Sequence, residues 1–410
     1  MIEKKLSYPK NKINVLLLEN INPIAKKIFL NEGYNVKTLS NSLNEKDLIK
    51  TIDEISIIGV RSKTKLNKRI LDKAKRLLAI GTYCIGTNHI DLDQAKKNGI
   101  IVFNAPYSNT RSVVEIVIAQ MIFLMRNIIQ KNNEMHKGIW KKNAKKSSEI
   151  RNKTLGIIGY GNIGSQLSII AESLGMKVIY YDIKDKLSLG NAIKYESIKK
   201  LIQDSNIISL HVDGRKENNN LIDHNEFNLM KKGTVLINYS RGNVVNIDAL
   251  VENIKSGKIL GTSVDVFPIE PLNNKETFNS KLRNLPNTIL TPHIGGNTKE
   301  AQKNIGSYVP IKIIEYINSG ASSNAVNFPE LSLPELSNAH RFIHIHKNIP
   351  GVMVKINKIL SMFNINILGQ YLKTNDEIGY VITDINKQYN KGVISSLKGI
   401  EGTIKLRVLY

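Results

Sequence analysis

Cysteine is almost missing: Cys84 stands alone among 410 residues. One thiol excludes an intramolecular disulfide framework and the small stapled secreted scaffolds that depend on one. A reducing cytoplasm is the expected compartment. Long apolar runs are missing too. The richest stretch, 113–129, is broken by Glu115, Gln120 and Arg126, short of the roughly 18 to 20 uncharged residues of a membrane span. Near the N-terminus the apolar run 15–18 is too short for a signal peptide, and no membrane partner is expected. Acid is scarce beside base, 35 Asp and Glu against 58 Lys and Arg, for a net charge of +23. Such a surplus would suit a nucleic acid or another anion. The cations are scattered, however, and form no block interleaved with aromatics, so no nucleic-acid partner is expected.

Hydrophobic residues are 41% of the chain and charged residues 23%, ordinary for a globular protein and unlike a disordered one. The length allows two or three domains with cores of their own. The first hundred residues alternate apolar runs (13–18, 55–60, 77–81) with helical patterns such as 22–33, which predicts a parallel sheet covered by helices. A helical pattern runs from Arg111 to about Asn133, with apolar Val113, Val114, Val117, Ile118, Met121 and Leu124. A polar basic segment, 137–153, follows and carries Trp140. The alternation then restarts with six strand-like runs at 154–158, 177–181, 207–212, 234–238, 261–266 and 288–290, enough for a doubly wound nucleotide-binding sheet. A proline-punctuated stretch at 327–334 reads as a linker. The remainder reads strand, helix, strand, strand, helix, strand, the ferredoxin-like split βαβ order.

Gly159-Tyr160-Gly161-Asn162-Ile163-Gly164 follows an apolar strand and opens a helix. A glycine-rich turn is weak evidence alone, but in this context the three glycines meet three separate needs. They permit a tight turn, close approach of a pyrophosphate, and close packing of helix on strand. The helix start offers free N–H groups to phosphates. Asp182 follows Gly164 by 18 residues at the end of the next strand, close to the ribose-binding position about 20 residues on. A carboxylate there accepts from ribose hydroxyls and repels a 2′-phosphate, which favours NAD over NADP.

A nicotinamide enzyme must add a proton donor and acceptor and a cation that grips the substrate. Three segments follow strands late in this part: Asn238-Tyr239-Ser240-Arg241-Gly242, Asp265-Val266-Phe267-Pro268-Ile269-Glu270-Pro271, and Thr291-Pro292-His293-Ile294-Gly295-Gly296. Ligands bind at strand carboxyl ends in such sheets. Arg241 can hold a carboxylate through two parallel bonds. His293 titrates near neutrality. Glu270, if it touches the imidazole, would raise its pKa. Each alone also reads as a surface charge or a packed loop histidine.

Together these segments resemble the D-2-hydroxyacid dehydrogenase family, in order and spacing and through essentially the whole chain. The resemblance is to the bacterial branch that carries a C-terminal ACT domain and acts on phosphoglycerate. It implies an α/β fold of two doubly wound parallel-sheet domains, a flavodoxin-like substrate domain (1–108 and 298–330) and a Rossmann NAD domain (109–297). A linker (331–338) and a ferredoxin-like α+β ACT domain (339–410) would follow. It implies that Arg241 binds the substrate carboxylate and 2-oxygen, that His293 is the proton donor and acceptor, and that Glu270 is its partner. Cofactor contacts are implied for Gly159, Gly161, Asn162, Ile163, Gly164, Asp182, Tyr239, Ser240, Arg241, Asp265, His293, Ile294, Gly295 and Gly296. Asp265 is expected near the nicotinamide amide. Tyr239 departs from the small residue usual there. No metal is implied.

The substrate is implied by the first segment. Val60-Arg61-Ser62-Lys63-Thr64 gathers cations at a strand end, and Asn109 follows another strand through a proline turn. A phosphorylated acid needs cations and N–H groups together. By resemblance Arg61, Ser62, Lys63, Asn109 and Gln302 contact it, with Lys63 a point charge where related enzymes can carry arginine; a solvated basic loop is the plain alternative. The implied reaction is oxidation of 3-phospho-D-glycerate by NAD, opening the phosphorylated route to L-serine, with 2-oxoglutarate reduction as a side activity. In the tail, His346, Asn348 and Asn366 are implied to bind L-serine where two such domains meet, which requires a homo-oligomer, with a tetramer expected. Ordinary asparagine turn chemistry is the plain reading of those residues. Two rival functions remain: a family member acting on an unphosphorylated acid, and a dehydrogenase-fold NAD-sensing corepressor without turnover. Retention of Arg241, Glu270 and His293 speaks against the second.

Overall fold

Short apolar runs separated by capped helices build two parallel sheets and one antiparallel sheet. The computed structural model describes residues 9–271, 275–334, 339–386 and 389–409. Of the expected 331–338 linker, residues 335–338 lie outside the described residues. The chain divides into two compact units, Met1–Ser108 with Gln302–Tyr410, and Asn109–Ala301.

In the first unit, β1 (Asn14–Leu17), β2 (Asn35–Thr38), β3 (Ile57–Val60), β4 (Ala79–Thr82) and β5 (Ile101–Phe103) pair in parallel in the order β2-β1-β3-β4-β5. This is the flavodoxin-like order. β3 and β4 are buried along their whole length, which is why they read as unbroken apolar runs. β2 is absent from the runs seen in the sequence. It is a polar edge strand with only Val36 part-buried, so no apolar pattern betrays it. Helix Pro23–Asn31 begins as its sequence requires: Asn22 accepts from the amide of Ile24, and proline fills the first turn, where its missing N–H costs nothing. The long helix Lys299–Ser319 lays Val309 and Ile313 on β4. Gly81 permits this approach, since a Cβ there would sit 2.6 Å from Val309 Cγ1.

The same unit holds the C-terminal sheet. β13 (His340–Lys347), β14 (Ile367–Thr374), β15 (Ile378–Ile385) and β16 (Thr403–Leu409) are antiparallel in the order β14-β15-β13-β16. Helices Val352–Met362 and Lys391–Lys398 cover one face through Phe342, Val381 and Val408. Alternate residues Ile343, Ile345, Tyr380 and Ile382 join the core of the five-stranded sheet, as period-two side chains must when both faces are covered. Buried Arg341 donates to both carboxylate oxygens of Asp384 at 2.6 and 2.7 Å and to the Ser319 carbonyl at 3.0 Å.

The second unit carries β6 (Thr154–Ile158), β7 (Lys177–Tyr181), β8 (Ile193–Lys194), β9 (Ile207–Leu210), β10 (Thr234–Asn238), β11 (Ile259–Val264) and β12 (Thr288–Leu290). All are parallel, in the order β12-β11-β10-β9-β6-β7-β8. Six strands were expected; the seventh, β8, is a two-residue edge strand too short to leave a pattern. Order reverses between β6 and β9, the switch point where ligands bind in such sheets. The single helix expected from Arg111 to about Asn133 is two, Thr110–Arg126 and Ile128–His136, bent by 68°. Asn127 at the break is left-handed, φ 53°, a conformation asparagine tolerates better than most residues. Among the described residues no single helix is long and apolar enough to cross a membrane.

Candidate active site

β6 ends in the glycine turn, and the three glycines differ in what they leave room for. Gly159 is left-handed at φ +94°, and a Cβ there would strike the His211 carbonyl. At Gly164 a Cβ would lie 2.2 Å from the Gly159 oxygen. At Gly161 it would meet nothing within 4 Å. Two glycines are thus needed by the fold, and the third leaves open space at the start of helix Asn162–Ser173. That helix start has no side-chain cap. The first intrahelical bond there comes from Ser165 N–H to Gly161, which leaves the amides of Asn162, Ile163 and Gly164 without intrahelical acceptors. Open space beside uncapped N–H groups fits a pyrophosphate. Asp182 Oδ2 accepts from Tyr160 N–H at 2.7 Å and Oδ1 from Lys184 N–H at 2.8 Å. Each oxygen retains capacity for a ribose hydroxyl. Beside the turn, half-buried His211 has its pKa pushed down to about 3 by loss of solvation and bonds Ser209 at 2.8 Å, so it is a neutral packing group.

Three strand ends carry the candidate chemistry. After β10, Ser240 N–H and Oγ donate to Asn238 Oδ1 at 3.1 and 2.7 Å, and Asn238 Nδ2 donates to the Arg241 carbonyl at 3.1 Å. This knot leaves Arg241 half-buried. Gly242 is forced: a Cβ there would lie 2.0 Å from the Phe267 carbonyl carbon, so the arginine loop lies against the Glu270 loop. After β12, His293 Nδ1 faces Glu270 at 2.9 and 3.1 Å from its two oxygens. Glu270 Oε1 also accepts from Phe267 N–H at 3.0 Å. His293 is held above its ordinary pKa, first by this bond and further by the Glu270 and Asp265 charges, against burial and the Arg241 charge. Burial pushes Glu270 up, but the imidazole, a backbone N–H and Arg241 outweigh it and hold it low. The three groups therefore act on one another electrostatically. His293 Nε2 has no hydrogen-bond partner among the described residues, and 52% of the side chain is exposed. An imidazole held from behind with a free nitrogen in front is the arrangement of a general acid and base.

His293 sits at φ 53°, a left-handed conformation that few residues other than glycine adopt. Asp265 holds this turn. Its carboxylate accepts from Thr291 Oγ1 at 2.6 Å, Ile294 N–H at 2.8 Å and Gly295 N–H at 2.8 Å. Asp265 is buried, and burial raises its pKa against those donors. Besides the place near the nicotinamide amide expected of it, Asp265 clamps the histidine loop, a role that the sequence did not reveal. Tyr239 is buried, and its hydroxyl lies 3.2 Å from Ser263 Oγ and 3.3 Å from Thr291 Oγ1. Its ring lies beneath Gly295, where a Cβ would sit 2.7 Å away, so the unusual tyrosine supports the same loop. A Cβ on Gly296 would meet Asn109 Nδ2 at 2.1 Å, and Asn109 Oδ1 is a buried acceptor with no partner among the described residues.

In the first unit, Arg61, Ser62 and Lys63 follow β3, and Gln302 lies part-buried near the start of helix Lys299–Ser319. The loop is organised by Glu19, which sequence reasoning missed. Buried Glu19, left-handed at φ 64°, accepts the amides of Ser62, Lys63 and Thr64 at 3.0, 3.0 and 2.7 Å. Lys63 is exposed and Arg61 half-buried. Cys84 Sγ lies 3.3 and 3.1 Å from the Arg61 and Gly86 carbonyls, either of which can accept its one proton.

The three candidate effector residues are not brought together within one chain. His346 is buried at the end of β13, bonded to the Lys347 carbonyl at 2.6 Å, and Asn348 donates to the Asn375 carbonyl at 2.8 Å. Asn366 is exposed and precedes β14, whose Ile367 pairs with Ile385, which in turn pairs with His340. Asn366 is therefore at the other end of the sheet, about 20 Å away at roughly 3.3 Å per residue.

Residues 118–295 match the NAD binding domain of the D-isomer specific 2-hydroxyacid dehydrogenases, and residues 342–405 match the AHAS small subunit-like ACT domain. The chain is 48% identical over 404 residues to D-3-phosphoglycerate dehydrogenase of Dictyostelium discoideum, covering 98% of this chain and 99% of that one. It is 46% identical over 409 residues to D-3-phosphoglycerate dehydrogenase of Escherichia coli (strain K12), covering 99% and 100%. Among solved structures, D-lactate dehydrogenase from Aquifex aeolicus complexed with NAD and lactic acid matches with a TM-score of 0.67 and 29% identity, over 77% of this chain and 100% of that one. With its glycine turn, its histidine–glutamate pair and its appended four-stranded unit, the chain belongs to the D-3-phosphoglycerate dehydrogenase branch of the D-isomer specific 2-hydroxyacid dehydrogenase family.

Proposed function

We propose that the protein oxidises 3-phospho-D-glycerate to 3-phosphooxypyruvate with NAD, the first step of the phosphorylated route to L-serine. The observation that carries this reading is the His293–Glu270 contact beside Arg241. Residues Asn162, Ile163 and Gly164 would hold the pyrophosphate and Asp182 the ribose. Bound NAD supplies the two-electron acceptor for the carbon that bears the 2-hydroxyl. Arg241 holds the substrate carboxylate through its fork of donors. His293 Nε2, neutral, removes the hydroxyl proton, and the Glu270 carboxylate stabilises the imidazolium that results. Arg61 and Lys63 face the phosphate, with Ser62, Asn109 and Gln302 as polar contacts. Because the active form of His293 is neutral and its pKa is raised, oxidation gains rate as pH rises through that pKa.

The test is NADH absorbance with 3-phosphoglycerate, glycerate, D-lactate and 2-hydroxyglutarate in parallel. Turnover should be greatest with the phosphorylated acid and should lose that preference in an Arg61→Ala/Lys63→Ala variant. Equal turnover of glycerate by the natural chain would assign another hydroxy acid.

The ACT-like unit is proposed to take L-serine between two chains, with His346 and Asn348 of one facing Asn366 of another. Their separation within one sheet supports this, since no single chain brings them together. The assembly would be a dimer at least and a tetramer by family. Light scattering and NADH formation with and without L-serine check it: a monomer indifferent to serine would remove the proposal. A reducing cytoplasm is the compartment proposed, in keeping with a sequence whose one cysteine is Cys84.

A further inference from the structure

Five cations and no acid, among the described residues, line one cavity of about 400 Å³ in the first unit. Lys75 and Arg76 come from the segment entering β4; Lys398, Lys405 and Arg407 come from the C-terminal unit. Ile13, Ser56 and Leu78, at the amino ends of β1, β3 and β4, also line it. The Arg61–Lys63 loop follows the carboxyl end of β3, so the cavity lies at the opposite ends of the strands from the proposed substrate cations.

Among the described residues these charges have no carboxylate partner. None of the five makes an ion pair among the described residues. Lys405 Nζ donates to the Leu77 carbonyl at 2.7 Å. Arg407 donates to the Ile317 carbonyl at 2.9 Å and stacks over Tyr316 at 4.9 Å, and its Nη1 is buried without a hydrogen-bond partner among the described residues. Carbonyls and a ring face satisfy donors but carry no countercharge. Burial, followed by the Arg407 charge, lowers Lys405 to about 8. Like charges gathered around a partly enclosed space repel one another and raise the affinity of an anion placed among them. Lys75, Arg76 and Lys398 are exposed and form an entrance; Lys405 and Arg407 are more deeply set.

We propose that this cavity is a second anion-binding site, separate from the substrate site, for a small polyvalent oxyanion of the phosphomonoester or polycarboxylate kind. With cations from both sides, the anion braces the four-stranded unit on the five-stranded sheet. Any ligand that repositions the C-terminal unit would then compete with the anion or reinforce it.

The experiment uses the full chain, with its melting temperature followed against sodium phosphate and sodium citrate at ionic strength matched with sodium chloride. A saturable rise with either salt is expected, and it should persist in Lys63→Gln, whose substitution removes a substrate-loop cation. In Lys75→Gln/Lys398→Gln, exposed changes compatible with an unaltered fold, the concentration giving half the rise should increase by about tenfold. Lys405→Met should abolish the rise. A rise that tracks ionic strength alone, one unchanged by the double substitution, or one lost only in Lys63→Gln would overturn the proposal. The last result would place the anion on the substrate loop and leave the dehydrogenase reading standing.

Discussion

Two loops, one in each unit, are gathered by a buried carboxylate, and they put it to different use. Glu19 collects three backbone amides of the Ser62–Thr64 turn. Asp265 collects two amides and a hydroxyl of the Thr291–Gly295 turn. In both, the acid replaces the regular bonds that a strand end loses and fixes a turn that would otherwise wander. The first turn presents permanent cations, so position is all that it requires. The second presents an imidazole, a group that can change protonation state. There the clamp also sets charge, because Asp265 and Glu270 both favour the imidazolium while Arg241 opposes it. Beside the imidazole the clamp acid acts electrostatically as well as mechanically; the Glu19 charge falls on His89, where it opposes the lowering by burial, and its work on the cation loop is mechanical.

The sharpest way to break the comparison is at the titrating group. His293→Asn should lower kcat for NADH formation by about 10²–10⁴ while NADH binding, read by fluorescence, stays within a few-fold. Undiminished turnover would remove His293 from the chemistry. Asp265→Asn comes next. An amide cannot accept from every donor the carboxylate serves, so a buried group is left unpaired at a cost of about 1–3 kcal/mol, read as a lower melting temperature. Activity should fall by about tenfold or more if the loop opens, and the pH at half-maximal rate should fall, since one charge that raises the His293 pKa has gone. A loss of stability with an unmoved pH profile would make Asp265 purely mechanical. Glu19→Gln tests the other side: a similar stability cost of about 1–3 kcal/mol and a higher KM, with kcat and the pH profile unchanged. A displaced profile would erase the proposed distinction. The smallest effect is expected of Glu270→Gln on binding: KM should hold within a few-fold, while the rising limb of the oxidation profile moves to lower pH as His293 returns toward its ordinary value.

Legibility in the sequence follows the same division. Buried strands β3, β4, β6 and β9 announce themselves as apolar runs, whereas β2 and β8 sit at sheet edges and leave no pattern. The glycine turn, Arg241, Glu270 and His293 lie in compact motifs whose spacing survives in one dimension. Glu19 is 43 to 45 residues from the amides it holds, in a segment with no motif of its own, so no local signal could assign it. Asp265 was legible as a residue but not as a clamp, because its partners lie beyond another strand. The cation-lined cavity was invisible for the same reason: its lysines and arginines come from segments more than three hundred residues apart and read only as a diffuse basic surplus.

Local pattern, then, was enough to determine the alternation of strands and helices and the dinucleotide turn, since these depend on neighbours along the chain and on side-chain periods of two and 3.6; the three segments that carry Arg241, Glu270 and His293 were recognised by family resemblance. Only the folded chain decided which acid steadies which loop, that Tyr239 braces the histidine turn, that Asn366 lies a strand's length from His346, and where positive charge collects. Those outcomes depend on distances through space, which close packing sets and chain order does not record.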